Sequence, residues 1–263
     1  MQSLYDIPLK SWDGNENMLE AYKGKVTLVI NVTTNCGNAP EYRAIENIYK
    51  KYKDKGFEVL AVPANEYCGD GIVYDAFKEG LTCANDARDY AIKKHNVTYN
   101  FSDLIYSNPL APADSSIMEK YYKNRAEVFP RQLPEGQSPH PLYQALHLII
   151  KNHLGTYKCT CPILEDKKEN GICVHGKYMG GNFEKYLIDR DGKFVAHYIN
   201  GSLMPRLGEN EYASKFLPEN VGDEFKDSTY FKTDYDNSLL LYGKILKGEE
   251  EYNRLCSDIE NIL

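Results

Sequence analysis

Two apolar runs and the periodic segment between them organise the first quarter of the chain. Lys25-Val-Thr-Leu-Val-Ile-Asn-Val32 is aliphatic or β-branched at nearly every position, the pattern of a central strand covered on both faces. Pro40 then opens a segment in which Tyr42, Ile45, Ile48, Tyr49 and Tyr52 recur at spacings of three and four, so a helix is predicted up to Gly56. Phe57-Glu-Val-Leu-Ala-Val62 reads as the next buried strand. Strand, helix and strand at this spacing form a βαβ unit with parallel strands. Ahead of it, Tyr5-Asp-Ile-Pro-Leu-Lys-Ser-Trp-Asp-Gly14 reads as a short hairpin turning at Asp13-Gly14.

Beyond residue 62 the pattern loosens. Asp86 to Lys94 is predicted helical, and Tyr143 to Asn152 is a clearer amphipathic helix. Between them, Ser107 to Pro139 holds Pro-rich turns and a short helix around Ile117 to Ala126. Glu184 to Tyr198 reads as two strands around Asp191-Gly192, a strong hairpin signal. Leu239 to Leu263 reads as a charged helix with Leu240, Leu241, Ile245 and Leu246 as its apolar positions. There is no internal repeat and no low-complexity tract.

Composition narrows the function classes. With 263 residues, 42% hydrophobic and 26% charged, the chain is long enough for a proper core and ordinary for a globular protein. Its net charge of −7 argues against a nucleic-acid partner. The longest apolar runs fall far short of the roughly 18 residues a membrane span needs. The start, Met1-Gln-Ser-Leu-Tyr-Asp, lacks a basic head and an apolar signal core, so a cytoplasmic location is expected. In that setting seven cysteines favour metal binding or thiol chemistry over a disulfide framework.

Around the first of them, Gly24-Lys-Val-Thr-Leu-Val-Ile-Asn-Val-Thr-Thr-Asn-Cys-Gly37 resembles the glutathione peroxidase family, whose strand at this place ends in a reactive cysteine or selenocysteine. Four further landmarks follow in the family's order. They are Lys51 to Asn65 with its Pro-x-Asn turn, Asn96-Val-Thr-Tyr-Asn-Phe101, His140-Pro-Leu-Tyr143, and Asn182-Phe-Glu-Lys-Tyr-Leu-Ile-Asp-Arg-Asp-Gly192. The resemblance covers a little over half the chain. It implies an α/β, thioredoxin-like mixed sheet with flanking helices over residues 1–204. Insertions are expected at about 107–139 and 159–176, and a helical extension over 205–263.

The resemblance assigns the attacking sulfur to Cys36, and its position between a buried strand and a helix start agrees. Thiolate is the species that attacks peroxide, and a free cysteine titrates near 8.5. Backbone N–H groups and the helix dipole at such a junction favour the ionised form. Peroxide would convert it to a sulfenic acid that a second thiol reduces. A buried structural cysteine is the competing reading. The family surrounds its sulfur with Gln, Trp and Asn. Here Asn182 matches the Asn, Gly181 stands at the Trp position, and Asp70 aligns with the Gln. A carboxylate about 5 Å from a thiolate would oppose it by about 3 kcal/mol at an effective dielectric near 20. Asp70 must therefore point away, pair with a cation, be protonated or spoil the site, unless it is simply a solvated loop residue.

The resolving cysteine of thioredoxin-dependent members falls at Tyr90-Ala91, leaving Cys68 and Cys83 as substitutes in principle. Its absence also fits a one-cysteine cycle with an external small thiol. The insertion after Leu154-Gly155 is distinctive: Cys159-Thr-Cys161, a charged loop Glu165 to Gly171, then Cys173-Val-His175. As C-x-C…C-x-H these four could satisfy tetrahedral Zn²⁺, act as redox thiols, or be structural. Peroxidase chemistry itself requires no cofactor. The expectation is an antioxidant, thiol-dependent peroxidase acting on hydrogen peroxide or organic hydroperoxides, reduced by a small-molecule thiol or a thioredoxin-like protein. The alternative is a catalytically degenerate thioredoxin-fold protein that binds metal or senses redox state through its cysteine cluster. A homo-oligomer stays open.

Overall fold

The computed structural model describes residues 3–34, 38–64, 84–105, 140–146, 168–169, 172–173, 183–198, 201–205, 209, 211–212 and 248–263. Their centre is a five-stranded sheet in the order β3-β2-β1-β6-β7, with β1 Val26–Val32, β2 Phe57–Pro63, β3 Asn100–Phe101, β6 Lys185–Ile188 and β7 Phe194–Tyr198. Strands β1, β2 and β3 run parallel, whereas β6 and β7 are antiparallel to their neighbours. A separate two-stranded ladder pairs β4 (Lys168–Glu169) with β5 (Ile172–Cys173). Helices α1 (Glu41–Tyr52), α2 (Ala84–His95) and α3 (Glu249–Glu260) complete the long elements.

Every residue of β1 is buried because both of its faces are covered. Val26, Leu28, Ile30 and Val32 face one cluster with Tyr42, Ile45, Ile48 and Tyr52 of α1, and Ala87 and Ala91 of α2 also join it. On the opposite side, Val29 meets Leu60, Tyr186 and Ile188 under a cover made by the N-terminal segment and residues 141–146. The arrangement is the mixed sheet with helices on its faces that the sequence predicts, and it is a thioredoxin-like α/β fold. Pro40 precedes α1 with φ −56°, Glu41 lies in the first turn and Lys50 and Lys51 in the last, as the helix dipole favours. Gly56, at φ +92°, takes a left-handed conformation that lets the chain turn directly into β2.

The N-terminal segment departs from the expected hairpin. It folds as two 3₁₀ turns, Leu4–Asp6 and Met18–Tyr22, with a single isolated bridge between Leu9 and Asn17. Asp13-Gly14 does turn the chain, but the flanking apolar residues Leu4, Tyr5, Leu9, Met18, Leu19 and Tyr22 all face the sheet instead of alternating. At the other end of the chain, Leu255 and Ile259 of α3 are fully buried in the α1-side cluster. Tyr198 Oη donates to Asp258 (2.5 Å), Tyr52 to Glu260, and the Arg254 guanidinium lies 4.2 Å from the Tyr198 ring centre. No helix among the described residues is long and apolar enough to cross a membrane.

Candidate active site at the strand ends

Parallel strands β1 and β2 end side by side, and β6 begins against the end of β1, so three chain segments meet at one edge of the sheet. Crevices outside the carboxyl ends of parallel strands are the usual binding places of such sheets. The meeting is made by Asn31, a polar residue in a mostly apolar strand, whose side chain is fully buried. Its N–H donates to Glu184 O (3.3 Å), its carbonyl accepts from Phe183 N–H (2.8 Å), and its Oδ1 accepts from Glu184 N–H (2.9 Å). These bonds tie the start of β6 to the end of β1.

Phe183 sits there at φ +66°, a left-handed conformation that is unusual for a bulky residue. Such strain persists only where the surroundings over-determine it, and it clusters at functional sites. Its ring is fully buried and meets Tyr42 of α1 edge-on, with centroids 4.9 Å apart. Tyr42 Oη donates to Thr33 O (3.0 Å), joining α1 to the residue that follows β1.

Beneath this junction lies a buried ion pair. Lys185 Nζ donates to Glu41 Oε2 at 2.9 Å and to Phe183 O at 2.6 Å, while Glu41 Oε1 accepts from Leu203 N–H at 2.6 Å. Both side chains are 0% exposed. Burial pushes the Glu41 carboxyl upward from its ordinary range, and the Lys185 charge opposes that push. Next door, Glu184 contacts His197 Nε2 at 2.5 Å, and the His197 ring stacks on Tyr186.

Helical turns begin ahead of α1 itself. Glu41, Tyr42 and Arg43 N–H donate to the carbonyls of Asn38, Ala39 and Pro40, so helical turns reach back to Asn38, two residues after Cys36. Gly201 approaches the same entry at φ +69°: a Cβ built there would lie 3.0 Å from Asn38 Oδ1. At the far end of Tyr42, the His95 ring packs 5.3 Å away, centre to centre. Burial, with smaller contributions from Arg43 and Lys94, pulls the His95 imidazole down to about 4.

Of the residues expected at the site, Cys36, Asp70 and Asn182 lie outside the described residues, as do Cys68 and Cys83. The described neighbours of two of them, Thr34 and Asn38 for Cys36 and Phe183 for Asn182, belong to the segments that Asn31, Tyr42 and Lys185 gather. Cys159, Cys161 and His175 are likewise outside. Cys173 is placed by its backbone alone, in β5 opposite Lys168. Lys168 and Glu169, inside the charged loop expected there, thus pair as a strand with Ile172 and Cys173. Among the described residues, no group of three or more His, Cys, Asp or Glu side chains could hold a metal ion. Cys256 of α3 is free and buried, and burial raises its thiol.

Sequence reasoning missed Asn31, Glu41 and Lys185. The signal for two of them was a polar residue at a position that must be buried: Asn31 within an apolar run, and Lys185 in step with Leu187 along β6.

Comparison with known proteins bears on the same region. The family model for glutathione peroxidase matches residues 4–105. The glutathione peroxidase-like peroxiredoxin gpx1 of Schizosaccharomyces pombe is 26% identical over 217 residues, covering 81% of this chain and 99% of that protein. The glutathione peroxidase of Lactococcus lactis is 25% identical over 225 residues, covering 85% and 98%. A probable phospholipid hydroperoxide glutathione peroxidase of Nicotiana sylvestris reaches 46% identity over 94 residues, 35% of this chain and 54% of that one. The crystal structure of Trgpx in apo form superposes with a TM-score of 0.42 at 22% identity, over 86% of this chain and 94% of that one. The matched span runs from the N-terminal cover through β1, α1, β2, α2 and β3, and over it the chain is similar to the glutathione peroxidases, which are peroxidase oxidoreductases.

Proposed function

We propose that the chain is a thiol-dependent peroxidase that reduces hydrogen peroxide or organic hydroperoxides, with Cys36 as the attacking sulfur. The observation that carries this reading is the junction itself: a strand buried on both faces ends at the sheet edge, and helical turns resume two residues past Cys36. The positive end of α1 favours a thiolate there. The thiolate attacks one peroxide oxygen, an S–O bond forms as the O–O bond breaks, and the departing oxygen leaves as water or an alcohol once protonated. Cys36 becomes a sulfenic acid, oxidised by two electrons, while the peroxide is reduced by two.

Asn182 donates a hydrogen bond to the thiolate or to the departing oxygen. Its chain neighbour Phe183 is bonded to Asn31 near the end of β1, which supports that role. One external thiol then displaces water from the sulfenic sulfur, and a second releases Cys36 and leaves as a disulfide. A small-molecule thiol or a thioredoxin-like protein fits this sequence, with Cys68 or Cys83 available as an internal resolving thiol. If Asp70 lies about 5 Å from the sulfur, its charge opposes the thiolate, and its removal should then speed the reaction. The cycle needs no metal, so zinc held by Cys159, Cys161, Cys173 and His175 would serve the insertion rather than the chemistry.

Peroxide consumption measured with glutathione and, separately, with a thioredoxin system tests the reading. Activity with at least one reductant that vanishes in Cys36→Ser is expected. Equal consumption by the wild type and Cys36→Ser would overturn it.

A further inference from the structure

Lys185 is buried at the junction of three segments that the sheet alone does not join. Its ammonium reaches the Glu41 carboxylate on the first residue of α1 and the carbonyl of Phe183 at the strained entry to β6. The other carboxylate oxygen holds Leu203 N–H in the turn that follows Gly201. Stability alone is a poor reason for such a pair, because well-packed apolar residues of similar volume usually serve a buried site as well or better. Buried ionic groups are best attested where they fix one geometry among several.

The geometry fixed here is that of Phe183. Its N–H is held by Asn31 O, its carbonyl by Lys185 Nζ, and its ring by Tyr42, so a left-handed backbone is maintained at a phenylalanine. We propose that Lys185 is a positioning residue: by bridging Glu41 and the Phe183 carbonyl, it sets the β6 entry against the start of α1. Through that bridge it aligns Asn182 with the sulfur of Cys36. The assignment rests on the peroxidase reading. A lysine suits the task because its compact ammonium can direct separate donors to a carboxylate and a carbonyl.

The test uses the full chain in Lys185→Met and in Glu41→Gln/Lys185→Met. The double variant removes both charges and leaves no buried ion unpaired, so it folds even if the single variant does not. Second-order rates of Cys36 oxidation by hydrogen peroxide are measured by stopped flow from pH 5 to pH 9, beside thermal unfolding. A misplacement of about 1 Å costs on the order of 100-fold in rate. The expected result is a loss of that order on the high-pH plateau, where the thiol is fully ionised. In an Asn182→Ala background the same substitutions should cause little further loss, because Lys185 acts through Asn182.

A lowered melting temperature with an unchanged plateau would reduce the pair to a structural role and overturn the proposal. So would a loss of equal size in the Asn182→Ala background. A wild-type rate no faster than that of free cysteine would instead remove the peroxidase reading, and this proposal with it.

Discussion

His95 closes α2 with its ring between Tyr42 and Tyr90, at centroid distances of 5.3 and 5.5 Å. Its Nδ1 accepts from Arg43 Nε at 3.4 Å, and Nε2 is buried without a hydrogen-bond partner among the described residues. Adding a proton there places a cation in a poorly solvated site beside Arg43 and Lys94, which explains an imidazole pulled from 6.5 to about 4. Below pH 6.5 the unfolded chain binds a proton at this residue that the folded chain refuses, so stability is lost as the pH falls. Above pH 6.5 both states are neutral and the effect vanishes. Between pH 7.5 and pH 4.5 this residue alone should cost the fold about 2–3 kcal/mol, a large share of the roughly 5–15 kcal/mol typical of a domain. Urea unfolding of the wild type and His95→Leu at pH 7.5, 6.5, 5.5 and 4.5 isolates the term, since carboxylates contribute nearly equally to both. The variant's curve should be flatter over that range by about 2–3 kcal/mol. Parallel curves would show that His95 is solvated in the folded protein and refute the argument.

Two further outcomes follow from contacts and charge. Leu255 and Ile259 of α3 are both fully buried in the core beside α1; Ile259→Ala should cost about 2–5 kcal/mol in urea unfolding, whereas a loss below about 0.5 kcal/mol, the usual range for surface changes, would mean that α3 is not docked. Asp70→Gln should lower the titration midpoint of the Cys36 thiol by about 2 pH units if the carboxylate sits near 5 Å, read from the pH dependence of its alkylation, and an unchanged midpoint would place Asp70 away from the sulfur or beside a cation.

Regular elements were legible where burial and period agree. The β1 run is continuous because both faces are covered, and α1 shows its apolar positions at three and four because only one side meets the sheet. The β6–β7 hairpin was marked by Asp191-Gly192, and Gly192 takes φ +78° there. The N-terminal segment misled because a turn signal implies a hairpin only when the flanking residues alternate, and here they lie on one side against the sheet. At the site, a lysine in step with the buried Leu187 demands a partner, but that partner, Glu41, lies 144 residues earlier. No local pattern links them. Read alone, Glu41 is an ordinary acidic residue of a helix's first turn.

The central claim is a Cys36 sulfur ionised at neutral pH and open to peroxide. Stopped-flow oxidation by hydrogen peroxide at pH 7, with mass-spectrometric trapping of the product, measures it directly. The account predicts a rate constant well above that of free cysteine and a trapped sulfenic acid at Cys36. A rate equal to free cysteine, or oxidation spread over the other cysteines with Cys36 intact, would contradict it.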